Sequence, residues 1–160
     1  MEQVLPIEEL AAQRLNIMVY SYSLFAKNLM EEGLDLDKVK KASDKTWAML
    51  GQQTAEQLKP LFGENVNIET LQQSGAMATS VHGMEMSEEI SGNTIKSKYT
   101  KCPWQEANLA LNMPNDWRMC TSGHSAFTET MYKGLVPNAE YKLTENMPSG
   151  DQICAGTTTI

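Results

Sequence analysis

The apolar residues of this chain change their spacing near Ala76, and that change limits the folds open to it. Before that point the spacing is helical. Leu10, Ile17, Leu24 and Phe25 fall near one face of a segment from Ile7 to about Met30, with good helix formers between them and Gly33 as a stop. Asp37 is placed to cap a second helix, in which Val39, Ala42, Trp47, Leu50, Ala55 and Leu58 keep a three-to-four spacing until Pro60. The two helices are expected to pack as an antiparallel pair. A short third helix is expected at about Ile68 to Gln73, after the loop Gly63-Glu64-Asn65.

From Ala76 onward the pattern is punctuated by turns. Ala76 to Glu88 and Thr94 to Cys102 flank Ser91-Gly92-Asn93, a turn of the kind that joins hairpin strands. Tyr141 to Glu145 and the Thr-rich Ile153 to Thr159 flank Pro148-Ser149-Gly150-Asp151, which reads as a second hairpin. Helical spacing returns weakly at Trp104 to Leu111 and more clearly from about Asp116 to Lys133, with Pro114 where a helix start tolerates it. The expectation is an α+β domain, its N-terminal helical pair packed on an antiparallel sheet of hairpins. One core suffices at 160 residues, so 1–160 is read as one domain, with a helical half (1–75) and a cysteine-bearing half (76–160).

A formal charge of -7 and the lack of any long basic run argue against a nucleic-acid partner. No stretch approaches 18 consecutive apolar residues, and Met1-Glu2-Gln3-Val4-Leu5-Pro6 lacks a basic segment followed by an apolar run. Neither a membrane span nor export is expected, and the implied location is the cytoplasm. The three cysteines are odd in number and 18 and 34 residues apart, which suits reduced thiols better than a disulfide framework. A small-molecule substrate or ligand is the expected partner, and a homo-oligomer is compatible with the helical half.

Each cysteine sits at the edge of an expected element: Cys102 just before Pro103, Cys120 on a helix, and Cys154 after the Gly-Asp turn. Cys120 and His124 are four residues apart, on one helix face. Sulfur and imidazole suit Zn²⁺ or iron, so Cys102, Cys120, Cys154 and His124 could close a tetrahedral shell, or leave an open position if His124 stays out. Scattered core thiols are the competing account, because free cysteine is commonly buried. His82, expected on the same strand face as Met84 and Met86, is either a general base or a partly exposed strand histidine. Glu106 and Asp151 could orient a ligand or activate water, or serve as capping and turn residues. Lys96, Lys98 and Lys101 could hold a substrate carboxylate or form a solvated strand edge, and Trp104 and Trp117 could wall a pocket or fill the core.

The segments Lys101-Cys102-Pro103-Trp104-Gln105-Glu106-Ala107 and Asn146-Met147-Pro148-Ser149-Gly150-Asp151-Gln152-Ile153-Cys154, with Cys120 between them, resemble the L-2-amino-thiazoline-4-carboxylic acid hydrolase family. The likeness extends more loosely to vinyl-reductase-type ligand-binding domains, and it covers roughly residues 94 to 160. It implies a hydrolase that opens a sulfur-containing heterocycle, with Cys102, Cys120 and Cys154 as motif cysteines and Glu106 and Asp151 beside them. Cys120-Thr121-Ser122-Gly123-His124 departs from the family pattern. Two functions follow. One is a small-molecule hydrolase with a cysteine-ligated Zn or Fe site, and the other is a non-catalytic metal, iron-sulfur or ligand-binding sensor module using the same thiols.

Overall fold

A computed structural model describes residues 6–63 and 66–160. Part of the expected Gly63-Glu64-Asn65 loop and the segment Met1 to Leu5 lie outside the described residues. The architecture is α+β. Among the described residues, five α-helices, α1 (Ile7–Glu31), α2 (Leu36–Phe62), α3 (Ile68–Val81), α4 (Pro103–Ala110) and α5 (Cys120–Leu135), accompany strands β1 (Glu85–Ser91), β2 (Thr94–Lys101), β3 (Glu140–Glu145) and β4 (Cys154–Thr159). The strands form one antiparallel sheet in the order β1-β2-β4-β3, so the two expected hairpins are joined edge to edge through β2 and β4.

All the helices, the N-terminal pair included, lie on one side of the sheet. Alternation decides which side. Ile95, Ser97 and Tyr99 of β2 point inward and are buried, while Lys96 and Lys98 between them are exposed. These lysines therefore belong to the open face of a central strand, and the solvated-edge account of them is corrected. Lys101 at the strand's end reaches Glu85 at 3.5 Å.

The closest helix packing is between α2 and α5, and small residues permit it. The two helices run in the same direction, with Trp47 over Gly123, Gly51 against the Phe127 carbonyl and Thr130, and Ala55 against Gly134. Thr130 Oγ1 donates to the Ala48 carbonyl at 3.0 Å and stitches the crossing. Leu58, Leu71, Ile95, Met131 and Tyr132 complete the main core between these helices and the sheet. The expected antiparallel pairing of α1 with α2 is a minor contact, centred on Tyr22 with Ser43 and Trp47.

Several boundaries differ from expectation for local reasons. Asp35 rather than Asp37 caps α2, accepting the Lys38 N–H at 2.9 Å, and Pro60 is absorbed in the last turn before Gly63 at φ 73°. Asn67 caps α3, accepting the Thr70 N–H at 2.8 Å, and the helix runs on through residues read as strand to Val81. Beyond Leu71 its buried residues are the small Ser74, Gly75, Ala78 and Thr79, a stripe that hydrophobic counting overlooks. α5 begins only at Cys120, because Asn115–Trp117 after Pro114 takes a single 3-10 turn and Arg118 is tied back to the Met113 carbonyl at 3.0 and 3.2 Å.

The α1 seam is the largest departure. Val19, Ser23, Ala26 and Met30 are its buried residues, whereas Ile17, Leu24 and Phe25, the stripe the sequence displays, are exposed.

A Cβ at Gly51 would overlap the backbone oxygen of Phe127, which cannot move without disturbing α5. Gly51→Ala is therefore expected to lower stability by about 1–3 kcal/mol, the usual cost of overpacking. Urea denaturation followed by tryptophan fluorescence measures it, and an unchanged midpoint would contradict the close crossing.

Candidate functional site

Where α2, α3, α4 and α5 meet the end of the sheet, the chain leaves a cavity of about 60 Å³. By volume this holds on the order of two waters, at about 30 Å³ each. Its walls are mainly aromatic and apolar: Trp47, Met84, Tyr99, Trp104, Phe127 and Leu143. Trp47 and Trp104 meet edge to face at 5.0 Å, and His82 packs the same way on Phe127 at 5.0 Å and on Trp47 at 5.9 Å. Such edge-to-face contacts hold rings in fixed orientations. Tyr22 braces the cage from behind, packing on Trp104 at 5.5 Å, taking the Trp47 Nε1–H at 3.2 Å and bonding Ser43 at 2.6 Å.

The three cysteines enter this cavity from three different elements. Cys102 comes from the N-cap of α4, Cys120 from the first residue of α5, and Cys154 from the start of β4. All are free thiols. Burial pushes each of them up in pKa, Cys120 to about 12. At Cys102 the N–H groups of Gln105 and Trp104 oppose that rise, and at Cys154 the Met147 N–H does so from 3.4 Å. Charge on one sulfur would repel charge on its neighbours, so at neutral pH the thiols are protonated. Asn108 donates to Cys120 Sγ at 3.6 Å.

His82 and His124 also line the cavity, and burial lowers the pKa of both, that of His124 to about 4. His82 is not on a strand; it is the C-cap of α3, and Gly83 at φ 66° turns the chain away from it. Its ring lies by the Ala78 carbonyl, which favours an N–H there and, in the neutral ring, leaves the other nitrogen an acceptor. His124 packs on Tyr99 at 4.9 Å and shares a 3.1 Å hydrogen bond through Nε2 with the Tyr141 hydroxyl. Tyr141 lies across Gly156, where any side chain would collide with its ring.

The expected ligand set thus shares one cavity. Among the described residues, however, no group of three or more His, Cys, Asp or Glu side chains stands in metal-holding geometry. Glu106 lies in the first turn of α4 near Cys102, outside the cavity walls. Asp151 Oδ2 accepts the Asn146 N–H at 2.8 Å, bracing the turn before β4, and it too is absent from the walls. Trp104 is a wall as expected, whereas Trp117 packs with Met113 and Met119 elsewhere. Trp47, Phe127, Tyr99 and Tyr141 were not anticipated at the site, because periodicity marks a residue as inward without saying toward what.

No protein-family model matches the chain, and no curated protein matches it in sequence. Solved structures do share its fold. The phenol-responsive sensory domain of the transcription activator PoxR, determined with phenol, superposes with a TM-score of 0.62 at 11% identity, covering 88% of this chain and 73% of that one. A trafficking protein particle complex subunit 3 from Naegleria fowleri, covalently bound to palmitic acid, superposes with a TM-score of 0.60 at 10% identity, covering 92% and 95%. At these identities the likeness is one of fold. No helix among the described residues is long and apolar enough to cross a membrane.

Histidines buried neutral make folding sensitive to acid. His124 titrates near 4 when folded and near 6.5 when unfolded, so the unfolded chain takes up the proton first. Its contribution is complete above pH 6.5 and is lost between 6.5 and 4, by on the order of 3 kcal/mol. Burial raises Glu88, which offsets part of this at the acid end. His124→Gln removes the titration, so the fall in urea midpoint from pH 7 to pH 4.5 is expected to be smaller in that variant than in the parent chain.

Proposed function

We propose that this chain is a ligand-binding module of the sensory kind, whose cavity takes a small, uncharged, mainly apolar molecule carrying one hydrogen-bonding group. The observation that carries the reading is the aromatic cage of Trp47, Trp104 and Phe127 around the neutral ring of His82. At about 60 Å³ the cavity is smaller than the roughly 150 Å³ in which a dry apolar cavity takes benzene, so the guest is small and a ring enters only as the walls give. An apolar wall attracts such a ring, and the free nitrogen of His82 accepts a hydroxyl or amide hydrogen from it. A charged ligand of the same size would have to shed its hydration without a counter-charge. The fold it shares with a domain determined with phenol supports the reading.

Phenol and benzoate, compared by titration calorimetry and thermal shift, test it. Phenol is expected to bind and to raise the melting temperature, whereas benzoate is expected to do neither. His82→Phe keeps an aromatic wall but removes the acceptor, and it is expected to weaken phenol about tenfold while leaving benzene unaffected. Failure of phenol and of a panel of neutral ring compounds to bind at millimolar concentration would refute the proposal.

The convergence of all three thiols on this cavity supports a second reading, in which a soft metal ion draws them together and serves a hydrolase or a metal sensor. Zinc or iron would take Cys102, Cys120 and Cys154, and His82 would accept a proton. Metal analysis of the purified chain separates the readings. Close to one ion per chain, lost in Cys154→Ser, would favour this one, and metal-free protein with all thiols open to alkylation after unfolding would dismiss it.

A further inference from the structure

The most regular apolar stripe in the sequence is on the outside of the molecule. Ile7, Ile17, Met18, Tyr20, Leu24 and Phe25 of α1 are 82%, 67%, 50%, 45%, 36% and 63% exposed, while the helix buries only the narrow line Val19, Ser23, Ala26 and Met30. Among the described residues nothing covers this face. Scattered exposed side chains are ordinary on a monomer, but six large ones on the outer side of a single helix form a contiguous patch. From the structure we propose that this face of α1 is a self-association surface, on which a second copy of the chain docks its own α1 antiparallel across a two-fold axis near Ile17. This proposal is independent of what the cavity binds.

The spacing of the stripe points to a copy of itself as the occupant. Leu10, Ile17 and Leu24 are seven residues apart, two helical turns each, and so lie along one seam of the helix. An antiparallel partner centred on Ile17 sets Ile17 against its own equivalent and Leu10 against Leu24 of the other copy, twice over by symmetry. Opposed helix directions also bring Glu9 of the first turn to the flank where the partner's Lys27, already paired with Glu31 at 3.2 Å, can bridge both carboxylates. A parallel or shifted arrangement loses the Leu10–Leu24 match. The exposed apolar groups offer on the order of 700 Å² per copy, close to the roughly 800 Å² per partner of a standard stable interface.

Sedimentation equilibrium on the full chain between about 1 and 100 µM tests the proposal, together with a cross-linking pair. The expected result is a species of twice the 17.8 kDa chain mass, with Ile17→Glu weakening the dimer at least tenfold while circular dichroism and urea midpoint stay near those of the parent, because position 17 is exposed. Ile17→Cys is expected to form an intermolecular disulfide across the axis under mild oxidation, and Asn93→Cys, at the tip of the first hairpin, is not. A monomer throughout the range, a dimer indifferent to Ile17→Glu, or equal cross-linking at position 93 would each overturn it. So would a monomer that binds neutral phospholipid vesicles through the same residues, which would assign the face to a lipid surface. Phenol binding by a chain that stays monomeric would sink the interface and leave the cavity reading standing.

Discussion

The close, same-direction crossing of α2 and α5 is the contact on which the rest of the molecule depends. Backbones can approach this nearly only where side chains are absent or small, and Gly51, Ala55, Gly123 and Gly134 supply that space at successive turns. The crossing does more than fill the core. It lays Trp47 on Gly123, which puts the indole beside the first turn of α5 where Cys120, Thr121 and His124 emerge. A wider crossing would leave the cavity without its main aromatic wall.

The second constraint is the placing of polar groups in an apolar setting. Thiols and imidazoles both face the cavity, and burial keeps all of them neutral: the thiols are pushed up and the imidazoles down. A neutral, polarisable lining of this kind favours an uncharged guest. It can also yield thiolates to a soft cation that supplies the missing positive charge. The inner face of the sheet follows the same logic. Glu88 accepts the Ser97 hydroxyl at 2.8 Å, and Tyr141 pairs with His124, so the polar side chains between sheet and helices are largely matched with one another.

The cavity and the outer face of α1 lie on different sides of that helix: Tyr22 turns toward Trp47 and Trp104, while Ile17, Leu24 and Phe25 face out. Tyr22, which braces the aromatic cage, belongs to the same helix as the exposed seam, three residues from Val19 and two from Leu24. A change in the cage is therefore mechanically close to the surface on which a second copy would sit. That proximity is a property of one rigid helix presenting two faces.

Period and punctuation in the sequence were enough to determine the α+β class, the two hairpins with their Ser91-Gly92-Asn93 and Pro148–Asp151 turns, and the helical first half. These are local properties, governed by backbone geometry and by glycine, proline and capping residues within a few positions. The cysteines' meeting was legible only as an expectation from turn-edge positions and motif order, and folding did bring all three to one cavity. Tertiary structure alone decided the rest. It carried α3 through Ala76 to Val81, because Ser74, Gly75 and Ala78 suit close packing rather than a strand, and so moved His82 from a strand to a helix cap facing the cavity. It also turned the apolar seam of α1 outward: hydrophobic spacing says that a face seeks cover, but only the three-dimensional arrangement says whether the same chain provides it.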